Sequence, residues 1–195
     1  MSKHIYLASR SPRRAELLQQ IGVDFDVLPS DVDEAPLSGE APQDYVVRLA
    51  RMKAEVGLAR LQGSDMLMLP LLAADTTVSV DGVILGKPQD DADAAAMLRC
   101  MSGRWHAVLT GIAVATPSGI FSALSSTQVE MAILSEADII AYITSTEPRD
   151  KAGAYAIQGL AGTFIRRIEG SYSGVMGLPI FETAQLLKNA GIKVL

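Results

Sequence analysis

LLAADTTVSVDGVILGK, residues 71–87, carries the clearest local structural signal in the chain. Its first part, 71–74, is a short apolar run of the kind that forms a buried strand, and Asp75 follows directly. The segments 76–80 and 83–87 flank Asp81-Gly82, a dipeptide preferred in two-residue hairpin turns. The pattern therefore predicts a buried strand that ends at Asp75, followed by a β-hairpin.

Strands and helices alternate irregularly on both sides of this segment. Further strands are predicted at 5–8, at 25–28, at 164–168 and across 105–134, the last as a hairpin that turns at 117–119. Helices are predicted at 11–20, 42–61, 91–101, from 135 onward and at 179–189, with loops at 30–42 and 147–162. This order predicts an α/β fold with a mixed sheet.

Composition indicates an ordinary globular protein. The 195 residues are 49% hydrophobic, which allows a substantial core, and they fit one domain over residues 1–195. A net charge of −5 without a basic tail argues against binding to a nucleic acid polymer. The longest apolar stretch, 66–74, falls far short of the roughly 20 residues that cross a membrane. With one cysteine, Cys100, and no signal-peptide pattern, we expect a cytoplasmic protein.

The start of the first predicted helix has an unusual charge pattern. Helix N-termini favour acidic residues, yet Arg13 and Arg14 occupy this first turn, directly after Ser9-Arg10-Ser11-Pro12. Free backbone N–H groups, hydroxyls and guanidinium groups together form a site for phosphate oxygens. The alternative is that both arginines point into solvent or pair with acids elsewhere.

Lys53 is a second anomaly. At 3.6 residues per turn it lies within the apolar arc of the 42–61 helix, among Val46, Leu49, Ala50 and Ala54. A lysine that faces inward is costly unless an anion meets it. The alternative is a lysine at the edge of the arc whose ammonium group extends back to water.

Polar residues also follow the predicted strands. Asp75 comes after a buried strand, where ligands and catalytic groups gather in α/β folds, and Lys87 closes the hairpin. The alternatives are a turn-forming aspartate and a solvated lysine. Gln158, in a loop rich in glycine and charge, has an amide that both donates and accepts, as reading a base edge requires. Ordinary loop polarity is the competing explanation.

Several familiar sites are absent from the sequence. His4 and His106 are isolated, which argues against a zinc cluster. Neither the phosphate-binding pattern G-x-x-x-x-G-K-[ST] nor the dinucleotide fingerprint G-x-G-x-x-G occurs. Inward cations and a strand carboxylate, taken together, point to phosphate chemistry.

Five blocks of sequence resemble the Maf family of nucleotide pyrophosphatases. They occur in the family's order and extend across residues 5–187: LASRSPRRAELL, LLAADTTVSVDGVILGKP, MSGRWHAVLTG, EPRDKAGAYAIQG and GSYSGVMGLPIFE. The resemblance implies an elongated mixed β-sheet flanked by helices, with two lobes around a central cleft, as in ITPase-like folds. It also implies a homodimer that hydrolyses nucleoside triphosphates at the α–β phosphate bond.

The resemblance further implies roles for individual residues. Asp75 is the expected proton acceptor, and the expected phosphate-binding residues are Ser9, Arg13, Arg14, Lys53 and Lys87. Arg13, Thr76 and Gln158 match the branch that acts on dTTP, UTP and modified pyrimidine nucleotides. A divalent cation is expected, Mg²⁺ or alternatively Mn²⁺, held by Asp75 and Glu34.

Two departures from the family pattern bear on substrate choice. Ala156 stands where glycine is common, and Ser173-Gly174 with Met176 alter the stretch after Gly-Ser-Tyr. The resemblance leaves two other functions open: a 7-methyl-GTP pyrophosphatase, and a non-catalytic nucleotide-binding regulator of septum formation in cell division. The regulator would need the cations of the cleft but not Asp75.

Overall fold

A computed structural model describes residues 4–194. The strands are β1 (His4–Leu7), β2 (Asp24–Val27), β3 (Leu71–Val80), β4 (Val83–Leu85), β5 (Trp105–Thr116), β6 (Gly119–Met131) and β7 (Ile165–Glu169). The helices are α1 (Pro12–Gln20), α2 (Pro42–Gln62), α3 (Asp91–Met101), α4 (Glu136–Thr144), α5 (Tyr172–Met176) and α6 (Ile180–Asn189). Two short 3₁₀ helices follow α4: Ala152–Ala154 lies within the loop predicted at 147–162, and Leu160–Phe164 extends past its end to the residue where a strand was predicted to begin. No helix among residues 4–194 is both long enough and apolar enough to cross a membrane.

The seven strands form one mixed sheet in the order β2-β1-β3-β5-β6-β7, with β4 paired to β3. β1 is parallel to both β2 and β3, and every other pairing is antiparallel. The predicted α/β fold with a mixed sheet is therefore confirmed. Both predicted hairpins are present, and Asp81 and Gly82 have the positive φ angles, 51° and 81°, that a tight two-residue turn requires.

The prediction that a strand ends at Asp75 is wrong. β3 continues through Asp75 to Val80, because β5 pairs with it from Leu71 to Ser79. The residues that follow Asp75 are β-branched or small and suit a strand, so the apolar run at 71–74 marked only the first half of one long strand.

The other edge of β3 is paired only at its two ends. β1 stops at Leu7, opposite Leu72, whereas β4 begins its pairing at Val78. Between these points β3 has no strand partner on this edge, and the sheet is split there. Asp75 lies in the gap, just beyond the carboxyl end of β1, so it reaches the position expected for a ligand-binding group although it is in mid-strand.

Hydrophobic clusters on either side of this gap form two lobes. One cluster packs α3 and α4 against the far ends of β3, β5 and β6. At the other end, α1 and α6 cover one face of the sheet, and α2 covers the opposite face. The long strands β3 and β5 run through both lobes, so the sheet fixes the width of the cleft between them.

Two glycines allow α2 to lie unusually close to the sheet. A Cβ atom added at Gly111 of β5 would lie 2.3 Å from the Val46 carbonyl oxygen, and one added at Gly57 of α2 would lie 2.4 Å from a Leu71 methyl group. Gly111 is also the residue of β5 directly opposite Asp75. The close approach therefore presses α2 onto the sheet at the level of Asp75.

We predict that Gly111→Ala destabilises the protein by about 1–3 kcal/mol, since helix backbone must move to admit the methyl group. Urea unfolding measures this change. Gly63→Ala is the matched control, because its nearest neighbour would lie at an ordinary 3.5 Å. Equal stability of the two variants would show that α2 does not depend on the close contact at Gly111.

A buried histidine makes the fold sensitive to acid. His106 is 2% exposed, its Nε2 lies 2.8 Å from the Tyr155 hydroxyl, and its Nδ1 has no hydrogen-bond partner among the described residues. Burial lowers the pKa of His106 to about 4. The folded state therefore holds the neutral imidazole, whereas the unfolded chain takes up a proton below about pH 6.5.

Stability should consequently fall as the pH drops from about 6.5 to about 4, by up to about 3 kcal/mol from this one group. Urea unfolding at several pH values tests this, with His106→Gln as the comparison because glutamine does not titrate. The wild-type curve should decline more steeply than that of the variant. Parallel curves would contradict the assignment.

Candidate functional site

The gap beside β3 opens into a cleft of about 990 Å³. Its walls come from the β1–α1 connection, the loop before α2, α2 itself, the centre of β3, the end of β4 and the 150–158 segment. All nine side chains predicted as site residues line it: Ser9, Arg13, Arg14, Glu34, Lys53, Asp75, Thr76, Lys87 and Gln158. The fold thus gathers residues that are up to 149 positions apart in the sequence, although their individual roles stay predictions.

Lys53 joins two carboxylates at the floor of the cleft. Its Nζ donates to Asp75 Oδ1 and to Glu34 Oε1, both at 2.6 Å. Lys53 and Asp75 are 8% and 7% exposed, so the anion that an inward lysine requires is supplied by the protein itself. Asp75 Oδ2 makes no hydrogen bond to residues 4–194 and is not among their buried polar atoms without a partner. This oxygen remains available to a ligand.

The two carboxylates have opposite pKa shifts. Burial raises the pKa of Asp75, although the positive charges of Lys53 and Arg14 oppose the change. Burial acts in the same direction on Glu34, but the hydrogen bond and charge of Lys53, aided by Lys87, lower its pKa overall. Asp75 is therefore the better proton acceptor of the pair, since a general base gains strength as its pKa rises toward the working pH.

Tyr45 holds the loop that carries Glu34. Its hydroxyl donates to the Glu34 carbonyl oxygen at 2.9 Å, and its ring lies in the cleft wall. Tyr45 precedes Lys53 by eight residues on α2, close to two helical turns and on the same face. That spacing could have identified Tyr45 from the sequence.

Arg14 extends from the first turn of α1 and is fully engaged by the protein. Its Nε donates to the Gly177 carbonyl oxygen at 2.8 Å, and its two terminal nitrogens donate to Ser9 Oγ and Thr76 Oγ1, each at 3.2 Å. Thr76 in turn lies 2.9 Å from the Thr110 hydroxyl. Arg14 therefore fixes Ser9 and Thr76 in the cleft wall.

The side chains of Arg13 and Arg14 have different surroundings although the two residues are adjacent. The first turn of α1 contains no acidic residue, as the sequence indicated. The half-buried Arg13 lines the cleft and has no ion pair among residues 4–194, whereas Arg14 is enclosed by its hydrogen bonds. Lys87, on the opposite wall, is largely exposed, and its Nζ lies 3.6 Å from Glu34 Oε2.

Gln158 lies on a segment that the Glu147 carboxylate and the Tyr142 hydroxyl hold in place. The Glu147 carboxylate accepts hydrogen bonds from Tyr142 Oη at 2.9 Å and from the backbone N–H groups of Leu160 and Ala161 at 2.9 and 3.2 Å. The same Tyr142 oxygen accepts from the Ala156 N–H at 3.2 Å. Both ends of the 156–161 segment are therefore fixed, while the Gln158 side chain stays exposed in the cleft.

The acidic residues of the cleft fit a divalent cation only in part. Among the described residues no group of three or more histidine, cysteine or acidic side chains converges on one point. Asp75 and Glu34 do meet at the Lys53 ammonium group, itself the place of a positive charge. Mg²⁺ commonly uses only one or two protein carboxylates and takes its other ligands from substrate phosphates and water. The pair therefore suits an ion that arrives with a phosphate compound.

We predict that Lys53→Met raises the pKa of Asp75 further, because a hydrogen bond and a positive charge that stabilise the carboxylate are lost. Carboxyl ¹³C NMR titration measures this pKa. Lys188→Met, which removes an exposed lysine from α6, is the control and should leave the titration unchanged. An unshifted Asp75 in Lys53→Met would show that the ammonium group does not control this carboxylate.

Known proteins resemble the chain over nearly its whole length. A family model described as Maf-like protein matches residues 4–190. The dTTP/UTP pyrophosphatase of Methylobacillus flagellatus is 64% identical over 97% of this chain and 94% of its own length. That of Ralstonia nicotianae is 54% identical over 97% and 95%, and that of Nitrosomonas europaea is 52% identical over 97% and 96%.

Among solved structures, the Staphylococcus aureus Ham1 protein has a TM-score of 0.49 at 16% identity, over 83% of this chain and 90% of that chain. The family model and the relatives lead to one conclusion: this chain belongs to the Maf-like protein family.

Proposed function

We propose that this protein hydrolyses dTTP and UTP between the α and β phosphates, releasing the nucleoside monophosphate and pyrophosphate. The observation that carries the proposal is Asp75, a buried carboxylate with a raised pKa and one free oxygen, in a cleft lined by cations. Relatives at 50–64% identity are named dTTP/UTP pyrophosphatases, which supports the same reaction and substrates.

Asp75 acts as the general base. Its free Oδ2 accepts a proton from a water molecule as the water oxygen bonds to the α-phosphorus, and the bond from that phosphorus to the bridging oxygen breaks. The pyrophosphate leaves with the bonding electron pair. Lys53 fixes the other oxygen of the carboxylate at 2.6 Å, so that the base is oriented before substrate binds.

The cations of the cleft stabilise the charge that moves toward the leaving group. We assign Ser9, Arg13, Arg14, Lys53 and Lys87 to the phosphates, because their donors surround the space in front of Asp75. All three guanidinium nitrogens of Arg14 already donate hydrogen bonds to the protein, so its charge is held in a fixed position in the cleft. A preorganised donor of this kind does not have to rearrange during the reaction.

We assign base selection to Thr76 and Gln158, and to Arg13 through the position that it gives the phosphates. The exposed Gln158 amide both donates and accepts, as pairing with the edge of a pyrimidine requires. Thr76 accepts a hydrogen bond from Arg14 and lines the same cleft as Gln158, so we assign it a part in shaping the base pocket. Ala156, at the start of the segment that carries Gln158, is buried, so its methyl group affects the depth of the base pocket.

A divalent cation is part of the proposal. Asp75 and Glu34 would hold Mg²⁺, or Mn²⁺, and when bound it would neutralise part of the triphosphate charge. We also propose that the protein acts in the cytoplasm, where nucleoside triphosphates are found, and as the homodimer that the family resemblance implies. Light scattering of the purified protein tests for a mass twice that of one chain.

We predict that the protein releases pyrophosphate from dTTP and UTP in the presence of Mg²⁺ faster than from 7-methyl-GTP. Asp75→Asn should lower kcat by about 10²–10⁴-fold, the usual contribution of a general base, and should leave much of the nucleotide affinity intact. Enzyme-coupled detection of pyrophosphate measures the rate, and calorimetry measures the affinity.

Asp65→Asn, in an exposed loop away from the cleft, is the control for the loss of one negative charge. Near wild-type kcat in Asp75→Asn would reject the base assignment. Faster pyrophosphate release from 7-methyl-GTP would show that this nucleotide, rather than dTTP or UTP, is the preferred substrate. Nucleotide binding without pyrophosphate release in the wild type would favour the non-catalytic regulator.

A further inference from the structure

Six cationic side chains line the cleft: Arg10, Arg13, Arg14, Lys53, Lys87 and Lys151. Four of them already have ion-pair or hydrogen-bond partners within the protein. Arg10 forms a two-pronged ion pair with Asp31, Lys53 binds Asp75 and Glu34, Lys87 lies near Glu34, and Arg14 donates three hydrogen bonds.

The other two, Arg13 and Lys151, have no carboxylate partner among residues 4–194. Lys151 Nζ has only a long contact of 3.4 Å to the Arg149 carbonyl oxygen. Both side chains are half-buried. Burial, and then the positive charge of Arg13, lower the pKa of Lys151, although the charges of Asp150 and Glu147 oppose the change. Two cations that line one cleft and form no ion pair among residues 4–194 favour binding of a multiply charged anion.

The backbone holds Lys151 in this position. The Gly153 N–H donates to the Gly86 carbonyl oxygen at 3.0 Å, which ties the 151–154 segment to the residue before Lys87. Gly153 also packs against Val78 of β3, where an added Cβ would lie 2.7 Å from a methyl carbon. The backbone two residues after Lys151 is therefore anchored to the strand that carries Asp75.

We propose that Lys151 and Arg13 together bind the β- and γ-phosphates of the substrate and therefore the pyrophosphate that leaves. This assignment rests on the proposed function. In the proposed function, Asp75 and Lys53 lie at the α-phosphate, where the reaction occurs. The more strongly charged β- and γ-phosphates then lie beside the cations that are still unpaired. Charge grows on this end as the bridging bond breaks, and cations placed there stabilise the transition state.

Three variants test the proposal. Lys151→Met removes the charge, Lys151→Arg keeps it, and Arg149→Met is the matched control. Arg149 lies two residues away on the same segment, but it is exposed, is absent from the cleft wall and pairs weakly with Asp91 at 3.6 Å. Circular dichroism confirms that each variant is folded before binding is measured.

The readouts are calorimetric binding of inorganic pyrophosphate and of dTMP, which need no turnover. Lys151→Met should weaken pyrophosphate binding about tenfold or more, the usual effect of losing one charge-assisted hydrogen bond, and should leave dTMP binding unchanged. Lys151→Arg should restore most of the affinity, and Arg149→Met should match the wild type. In steady-state kinetics with dTTP, kcat/KM should fall in Lys151→Met and recover in Lys151→Arg.

Unchanged pyrophosphate binding in Lys151→Met, or an equal loss for pyrophosphate and dTMP, would overturn the assignment. So would a wild-type protein that does not bind pyrophosphate. Failure of the proposed function looks different, since the wild type would then release no pyrophosphate from any nucleotide. The calorimetric comparison of Lys151→Met with the wild type still decides the role of Lys151 in that case.

Discussion

The bond between the buried Lys53 ammonium and the carboxylates of Asp75 and Glu34 is the interaction on which the cleft depends. An ammonium group inside an apolar helix face is tolerated only when an anion meets it, and removing one partner of such a pair leaves a costly unpaired charge. The contact distance of 2.6 Å requires α2 to lie close to the sheet. Gly111, directly opposite Asp75 in β5, has no side chain to keep the helix away. Helix packing and the chemistry of the site are therefore set by the same contact.

The gap in the pairing of β3 gives the ion pair its access to substrate. Had β1 continued past Leu7, or had β4 begun earlier, a neighbouring strand would cover this edge of β3 at Asp75. The cations around the gap then divide into two kinds. Arg14 and Lys53 are bound by the protein and shape the cleft in advance, whereas Arg13 and Lys151 line the cleft without an ion pair among residues 4–194. Such a division gives a preorganised site that still gains energy when a polyanion binds.

The sequence predicted those features that have a local or periodic signal. The period of 3.6 residues placed Lys53 inside, and the Asp81-Gly82 turn specified its hairpin. The end of β3 was mistaken because hydrophobicity changes at Asp75 while the backbone pairing with β5 does not. Pairing between strands that are distant in the sequence has no local signal. The gap in the pairing of β3 was therefore also not predictable from the sequence.

Loop residues escaped prediction for a related reason. Lys151 has no periodic neighbours, and the segment that carries it is held by contacts of Gly153 with Gly86 and Val78, which lie more than 60 residues earlier in the chain. The engagement of Arg14 with Gly177 likewise spans most of the sequence. The family resemblance named residues that line one cleft, but only their contacts distinguish Arg14 and Lys53, which the protein already binds, from Arg13 and Lys151, which have no carboxylate partner among residues 4–194.

The decisive measurement is a crystal structure of the protein with a dTTP analogue that carries a non-cleavable bridge between the α- and β-phosphorus atoms. We expect the α-phosphate in front of Asp75 and Lys53, with the β- and γ-phosphates between Arg13 and Lys151 and the base beside Gln158. Phosphates bound elsewhere on the molecule, or an Asp75 that faces away from the α-phosphorus, would contradict this expectation.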